Sequence, residues 1–266
     1  MDLLKGKKAL VVGVANDRSI AWGVAQELHK AGAEVGFTYA GEVLGKRVRP
    51  LAESLGSTFI EELNVNDDEA MDNVFKLWEE KYKTLDILIH AVAYAEKEDL
   101  KGAFYDTSRE GFKTAMEVSV FSLVALTKRA VPLMTGRETS IVTLSYYGAE
   151  KVIKNYNVMG VAKAALENAT RYLASDLGTT GIRVNTISAG PVKTLAASGI
   201  SDIRGKLRDH ALISPMRRNT TQEEVGKSAV YLCSELSAGV TGEVLHVDSG
   251  YHIVGSPDGI KEGEEE

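Results

Sequence analysis

Short apolar runs alternate with longer segments of helical periodicity along almost the whole chain. The runs, such as Ile-Leu-Ile at 87–89, are rich in Val, Ile and Leu with little polar alternation, which indicates strands buried on both faces. Strands separated by helices join through right-handed crossovers into a parallel sheet. The sequence therefore predicts an α/β fold: a single-domain Rossmann-type doubly wound parallel sheet of about seven strands with helices on both faces.

One domain is predicted over residues 1–266, because no linker or abrupt change of composition interrupts the pattern. Residues 191–213 lack clean periodicity, so they form either a mobile segment that covers a substrate or a pair of surface helices. The acidic tail at 258–266 is expected to be a solvated terminus. Strands are expected near 9–12, 35–39, 59–63, 86–91, 140–144, 184–189 and 244–247, and helices near 20–31, 43–55, 69–82, 158–177 and 223–233, with one more ending near Pro132.

The charge balance and the cysteine count narrow the class of protein. The net charge is -6 and both signs are interspersed, which argues against a nucleic-acid partner. Cys233 is the only cysteine, so no disulfide can form within the chain, and it lies in an apolar stretch typical of a buried thiol. No apolar run is long enough for a membrane span, and no signal-peptide core precedes the first strand. We therefore expect a cytoplasmic protein that binds no membrane and no metal.

The segment after the first predicted strand has features of a dinucleotide site. It reads V-V-G-V-A-N-D-R-S-I-A-W-G from Val11 to Gly23. Gly13 permits a tight turn, Ser19 is suited to cap the helix that begins near Ile20, and the first backbone N–H groups of that helix can face a pyrophosphate. The pattern is not G-x-G-x-x-G, so by itself it also fits an ordinary strand-turn-helix.

Other strand ends agree with a dinucleotide. Positions 40–42 carry no positive charge, and Glu42 would repel a 2'-phosphate, which favours NADH over NADPH. Two basic residues on the following helix leave that preference open. Asn64 and Val65 are suited to an adenine edge, and the small residues in 90–93 allow a flat ring and a ribose to approach the backbone.

A tyrosine and a lysine follow the fifth predicted strand. Tyr156 and Lys163 are seven residues apart, which is two helical turns, so they share one face if both are helical. A phenol can donate to an oxygen that gains negative charge, and a nearby ammonium group can hold ribose hydroxyls and lower the phenol's pKa. An isolated pair of this kind is more often a core aromatic and a surface charge. Tyr146 ends the preceding strand and is a third candidate.

Six segments together resemble the bacterial enoyl-acyl carrier protein reductases, a divergent branch of the short-chain dehydrogenase/reductases. The resemblance extends from about residue 3 to residue 255. The segments are G-V-A-N-D-R-S-I-A-W-G at 13–23, T-S-R-E-G-F-K at 107–113, T-L-S-Y-Y-G-A-E at 143–150, Y-N-V-M-G-V-A-K at 156–163, R-V-N-T-I-S-A-G-P-V-K-T-L-A-A at 183–197 and T-G-E-V-L-H-V-D at 241–248.

The resemblance implies an NADH-dependent oxidoreductase of type II fatty-acid synthesis, acting on a trans-2-enoyl thioester carried by acyl carrier protein. NADH would deliver a hydride to the β-carbon, Tyr156 would bind the thioester carbonyl, Lys163 would hold the nicotinamide ribose, and Tyr146 would support the acyl site. A homotetramer is implied, as is a mobile substrate loop at about 191–213. Cofactor-binding positions are Gly13, Ser19, Ile20, Asn64, Val65, Val92, Lys163, Val192, Thr194 and Ala196; substrate-binding positions are Ala95, Tyr146, Tyr156, Met159, Ala196, Ala197 and Ile200.

Several positions depart from the family's pattern. Asn64 replaces a usual aspartate and Ala91 a frequent serine, so we expect these departures to affect cofactor affinity and not the chemistry, since neither removes a catalytic group. A 3-ketoacyl reductase is an alternative, but Met159 stands where such relatives carry their tyrosine. A non-catalytic dinucleotide sensor is a second alternative. Docking of an acidic carrier protein requires a basic patch, for which the candidates are Lys193, Arg204, Lys206 and Arg208; a solvated surface is the other interpretation.

Overall fold

Successive residues of the first strand point to opposite sides of one sheet, and a separate core lies on each side. Ala9 and Val11 belong to one core, and Leu10 and Val12 belong to the other. The computed structural model, which describes residues 2–192 and 203–256, contains seven parallel strands in the order β3-β2-β1-β4-β5-β6-β7. They are β1 (Lys8–Val12), β2 (Glu34–Tyr39), β3 (Ile60–Glu62), β4 (Ile87–His90), β5 (Thr139–Ser145), β6 (Ile182–Ala189) and β7 (Val244–Val247).

Helices cover both faces of this sheet. The helices α1, α2 and α8 pack on one face, and α3, α5 and α6 pack on the other. The helices are α1 (Ile20–Lys30), α2 (Gly41–Ser54), α3 (Asp68–Tyr82), α4 (Arg109–Met116), α5 (Ser122–Met134), α6 (Asn157–Leu177), α7 (Ile203–Ile213) and α8 (Gln222–Cys233). The predicted doubly wound parallel sheet is therefore confirmed, with all seven strands near their expected positions.

The helix that was expected to end near Pro132 extends further. It is α5, which continues to Met134, and a π-helical turn over Glu117–Phe121 joins it to α4. Proline removes one backbone donor, but Leu133 and Met134 are buried against the sheet. Burial of these two side chains outweighs the local cost of the proline. Helix propensity alone does not reveal this, because it does not include tertiary packing.

The sheet reverses its strand order between β1 and β4. The chain proceeds from β1 outward through β2 and β3, and from β4 outward through β5, β6 and β7. A crevice at the carboxyl ends of the strands is expected at such a reversal, and it is where open α/β sheets bind ligands. Cys233 is buried behind this sheet, as the sequence predicts.

Part of the predicted substrate loop is visible as a helix. Residues 203–213 of that loop form α7, whereas residues 193–202 and the whole of the predicted acidic tail at 258–266 lie outside the described residues. In the described ranges, no helix is both long enough and apolar enough to cross a membrane.

Close packing of α1 against α8 depends on two glycines. A Cβ atom at Gly226 would lie 2.6 Å from the carbonyl oxygen of Gly23 and 2.6 Å from the Cγ atom of Glu27. A Cβ atom at Gly23 would lie 2.6 Å from the Cβ atom of Gln222. The two helices are therefore in backbone contact at the point where the chain enters the crevice.

We expect Gly226→Ala to lower the free energy of unfolding by about 1–3 kcal/mol, because the added methyl group forces α1 and α8 apart. Urea unfolding at fixed protein concentration measures this change. Gly178→Ala is the matched control, since a Cβ there meets nothing within 4 Å and its backbone φ is -55°. Equal stability of the two variants would contradict the close contact.

Candidate active site

A small apolar cluster at the carboxyl edge of the sheet holds the predicted catalytic tyrosines. Tyr156 and Met159, at the start of α6, are buried in it, and Ala95 and Tyr146 pack against it. These four positions come from three separate stretches of the chain. The structure therefore brings together the predicted substrate-binding residues that lie in the described part of the chain.

The two tyrosine rings are in contact. Tyr146 follows β5, and its ring centroid lies 5.1 Å from that of Tyr156 at an interplanar angle of 77°. Such an edge-to-face arrangement is favourable and fixes the two rings relative to each other. Among the residues that the structure describes, neither hydroxyl takes part in a hydrogen bond. Both hydroxyl groups therefore remain available to a bound molecule.

The backbone on either side of Tyr156 has an uncommon conformation. Asn155 has φ +59° and Asn157 has φ +29°, a region that asparagine tolerates better than most residues. The side chain of Asn157 donates to the carbonyl oxygens of Lys101 at 3.1 Å and of Gly102 at 3.3 Å. The two asparagines thus turn the chain so that Tyr156 enters the cluster, and Asn157 ties it to the loop after β4.

Lys163 lies two turns along α6 from Tyr156 and is also buried, with 6% of its surface exposed. Its ammonium group donates to the carbonyl oxygen of Leu144 at 2.7 Å. An ammonium group has three N–H donors, so further donors remain for a ligand. Burial lowers the pKa of Lys163 to about 8, while the carboxylate of Glu167 acts in the opposite direction.

Glu167 provides a buried carboxylate one turn beyond Lys163. It accepts a hydrogen bond from the hydroxyl of Ser145, the last residue of β5. Burial raises the pKa of Glu167, and the Ser145 hydrogen bond partly offsets that effect. This pair links α6 to the strand end that carries Tyr146, and sequence reasoning did not identify it.

His90, at the end of β4, lies fully buried near Lys163. Its Nε2 atom is 2.8 Å from the hydroxyl of Ser122, and its Nδ1 atom is 2.8 Å from the hydroxyl of Thr143. Ser122 donates its own proton to Val118, so Nε2–H donates to Ser122 and Nδ1 accepts from Thr143. Burial, followed by the charge of Lys163, lowers the pKa of His90 to about 3, so the ring is neutral.

One expectation about ionisation is wrong. Lys163 was expected to lower the pKa of Tyr156, but burial raises that pKa well above its ordinary value, and Tyr146 and Glu167 add to the effect. Burial also raises the pKa of Tyr146 to about 12. Both phenols are therefore protonated at neutral pH, so each has an O–H that is available to donate to a bound molecule.

The predicted phosphate loop lies beside the crevice. Gly13 has φ +109°, and a Cβ there would lie 2.3 Å from the carbonyl oxygen of Ala91, so only glycine fits. Ser19 occupies the N-cap position of α1, but its hydroxyl donates to the carbonyl of Asn16 at 2.6 Å instead of capping the helix. The first two backbone N–H groups of α1, those of Ile20 and Ala21, have no acceptor among the described residues. A glycine cradle beside a helix N-terminus fits a dinucleotide phosphate.

The predicted adenine positions end β3 and β4. The side-chain oxygen of Asn64 accepts from the backbone N–H of Asn66 at 3.1 Å, so it stabilises its own turn. Val65 and Val92 pack against the same core. Arg49, on α2, lies 3.9 Å from Glu42 at the start of the same helix. Its guanidinium also lies over the ring of Tyr39, the last residue of β2. Sequence reasoning missed this arginine because it lies well along α2.

The last predicted positions follow β6. Val192 is half-buried beyond the end of that strand. Thr194, Ala196, Ala197 and Ile200 lie outside the described residues. Within those that are described, no group of three or more metal-ligating side chains occurs.

The doubly wound sheet, the glycine cradle and the buried tyrosine-lysine pair define a class: dinucleotide-dependent oxidoreductases of the short-chain dehydrogenase/reductase type. Comparison with known proteins narrows it. The sequence profile described as Enoyl-(Acyl carrier protein) reductase matches residues 13–252. A relative from Rickettsia prowazekii, named as the NADH-dependent enoyl-acyl-carrier-protein reductase FabI, is 55% identical over 254 residues, covering 96% of this chain and 97% of the relative.

Solved structures agree. The crystal structure of the NADH enoyl-acyl-carrier-protein reductase of Aquifex aeolicus VF5 matches with a TM-score of 0.93 and 54% identity, covering 96% of this chain and 99% of that one. The Bacillus cereus enoyl-acyl carrier protein reductase, solved with NADP+ and indole naphthyridinone, matches with a TM-score of 0.94 and 52% identity over 96% of this chain and 100% of that one. The chain belongs to the enoyl-acyl carrier protein reductase family, and the resemblance found in the sequence is confirmed.

The His90 network allows a controlled test within one strand. Thr143→Val removes the donor to Nδ1 of a buried histidine, so we expect it to lower the free energy of unfolding by about 1–3 kcal/mol. Thr139→Val, on the same strand, is the control. Among the described residues, the buried hydroxyl of Thr139 has no hydrogen-bond partner, so its removal should leave stability unchanged or higher. Denaturant unfolding measures both; equal losses would contradict the assigned network.

Proposed function

We propose that this protein is an NADH-dependent enoyl-acyl carrier protein reductase that saturates the 2,3-double bond of trans-2-enoyl thioesters in fatty-acid synthesis. The observation that carries the proposal is that a buried neutral phenol, Tyr156, and a buried ammonium group, Lys163, both lie against the end of β5. Tyr156 packs on the ring of Tyr146, and Lys163 donates to the carbonyl of Leu144. Family membership supplies the substrate class, and the relatives' names supply NADH.

Lys163 is proposed to hold the cofactor. Its buried ammonium group keeps donors beyond the one used by Leu144, and two ribose hydroxyls are suitable acceptors. Gly13, Ser19 and Ile20 would bind the pyrophosphate, and Asn64, Val65, Val92 and Val192, with Thr194 and Ala196 beyond the described part, would line the rest of the cofactor site. When bound, NADH supplies a hydride for the β-carbon of the enoyl thioester.

Tyr156 is proposed to stabilise the charge that develops on the thioester oxygen. Its raised pKa keeps the phenol protonated, so it donates a hydrogen bond that strengthens as the oxygen becomes negative. Tyr146 holds the ring of Tyr156 by edge-to-face contact, and Met159 and Ala95 form apolar wall for the acyl chain. With Ala196, Ala197 and Ile200 they make up the proposed acyl site.

The segment at 191–213 is proposed to cover the substrate. Its described part, α7, contacts the surroundings of both tyrosines: Lys206 donates to the carbonyl of Lys154, and His210 stacks on Tyr251 at 4.7 Å. Tyr251 in turn meets the ring of Tyr147. These contacts place α7 against the loop that leads into Tyr156, where a cover would have to attach.

The partner is proposed to be acyl carrier protein, and the assembly a homotetramer in the cytoplasm. Basic side chains on α7, including Lys206 and Arg208, would meet the acidic carrier, with Lys193 and Arg204 as further candidates. Apolar side chains exposed on neighbouring helices, among them Phe112, Phe121 and Tyr172, support subunit association.

Tyr156→Phe should lower kcat for an enoyl thioester about 100-fold or more, because it removes one donor to the developing oxyanion. Lys163→Ala should instead weaken NADH binding by about tenfold or more, because it removes a charged donor. NADH oxidation with crotonyl and longer enoyl thioesters, together with fluorescence titration of NADH, measures both. Tyr231→Phe and Lys227→Ala, on α8, are the controls.

Three results would count against the proposal. Normal NADH binding and turnover by Lys163→Ala would remove the role assigned to that residue. Reduction of acetoacetyl thioesters without any enoyl activity in the unmodified protein would favour the 3-ketoacyl reductase instead, and NADH binding without turnover of either would favour a sensor.

The ionisation of Lys163 predicts a pH dependence. With a pKa of about 8, the ammonium form predominates below that pH and is lost above it. The value of kcat/KM for NADH should therefore be level up to about pH 8 and fall by up to about tenfold per pH unit beyond it. Lys163→Arg keeps its charge at high pH, so the fall near pH 8 should disappear. An unchanged fall in that variant would show that another group titrates.

A further inference from the structure

A side chain from the far end of the sequence reaches the proposed phosphate loop. The amide nitrogen of Gln222, at the start of α8, donates to the carbonyl oxygen of Ser19 at 2.6 Å and to that of Asp17 at 3.3 Å. Gln222 and Ser19 are 203 residues apart in the sequence. The backbone contact of α8 with Gly23 brings Gln222 to this position.

These two hydrogen bonds orient the peptide groups of the loop. In a trans peptide, the carbonyl of one residue and the N–H of the next are rigidly opposed in one plane. A donor that fixes the Ser19 carbonyl therefore also fixes the direction of the Ile20 N–H. The Arg18 N–H, which follows the Asp17 carbonyl, already donates to the side-chain oxygen of Asn16 at 2.9 Å. Gln222 approaches from the α8 side, so the Ile20 N–H is turned away from α8.

The hydrogen bonds are not required to satisfy a buried carbonyl. The Ser19 oxygen already accepts from the backbone N–H groups of Trp22 at 3.0 Å and Gly23 at 3.4 Å. Asp17 is exposed, so water can satisfy its carbonyl. Neither oxygen therefore needs Gln222 as a hydrogen-bond partner. The main contribution of the Gln222 side chain is to fix the orientation of these carbonyl groups.

Gln222 itself stands on a rigid base. Thr221 caps α8, and Glu224 completes a capping box by accepting from the Thr221 backbone. The guanidinium of Arg218 donates to both oxygens of the same carboxylate, at 2.6 Å and 2.9 Å. This pairing lowers the pKa of Glu224 to about 2. The first turn of α8 is therefore fixed on both sides of Gln222.

We infer that Gln222 is a positioning residue for the cofactor: it holds the Ser19–Ile20 peptide group so that the Ile20 N–H favours a pyrophosphate. The inference rests on the proposed NADH site. In this proposal Gln222 contacts the phosphate loop and not the cofactor itself. It lies at the start of α8, the helix that follows α7.

The test variant removes the amide donor of Gln222 and keeps the unbranched aliphatic part of its side chain. Gln222→Met retains an unbranched chain that can pack on Gly23 but donates nothing. We expect the dissociation constants of NADH and of ADP, which also carries a pyrophosphate, to rise by the same factor, roughly five-fold, as for loss of one ordinary hydrogen bond. The kcat at saturating NADH and the thermal midpoint should stay within the range of the control.

Gln26→Met is the control, because Gln26 is half-buried on α1 and none of the hydrogen bonds between described residues involves its side chain. A second variant, Gln222→Glu, places acceptor oxygens against both carbonyls and should weaken ADP and NADH more than Gln222→Met. Unchanged affinity for ADP in both Gln222 variants would overturn the inference, as would equal losses of affinity, kcat and thermal stability. Failure of the unmodified protein to bind NADH would instead refute the proposed function.

Discussion

The hydrogen bond from the Lys163 ammonium group to the Leu144 carbonyl is the interaction on which the rest of the site depends. A charged group with so little exposed surface is costly unless it is paired, and this bond pairs it with the last part of β5. It fixes the rotation of α6 relative to the sheet. Tyr156, the N-cap residue of α6, lies in the apolar cluster beside Tyr146. The carboxylate of Glu167, one turn after Lys163, stabilises the ammonium charge.

Three sets of residues lie around the hydrogen bond between Lys163 and Leu144. Buried phenols, kept protonated by their surroundings, form the reactive side. A neutral His90, held between Ser122 and Thr143, lies near the lysine without adding a competing charge. On the cofactor side, the loop after β1 is shaped by a glycine with no room for a side chain and by Gln222 from α8. The proposed catalytic side chains and the proposed cofactor loop are therefore held in place by residues from both halves of the chain.

Much of this arrangement was predictable, for physical reasons. Strands buried on both faces leave runs of Val, Ile and Leu, and the seven-residue spacing predicts that Tyr156 and Lys163 lie about two helical turns apart, although Tyr156 is the N-cap of α6 and its own backbone is not helical. What escaped prediction depends on tertiary structure. The pairing of His90 with Thr143 requires the register of β4 against β5, and Gln222 requires the crossing of α8 over α1. The pKa of Tyr156 was predicted in the wrong direction because spacing reveals a nearby charge but does not reveal burial.

The central claim is that the phenol and the ammonium group converge on bound cofactor and thioester. A crystal structure of the protein with NAD+ and an enoyl thioester analogue tests it most directly. The account predicts the Lys163 nitrogen within about 3 Å of ribose hydroxyl oxygens and the Tyr156 hydroxyl at a similar distance from the thioester carbonyl. A structure in which the ribose avoids Lys163, or in which the carbonyl binds elsewhere while Tyr156 stays packed away from it, would contradict the account.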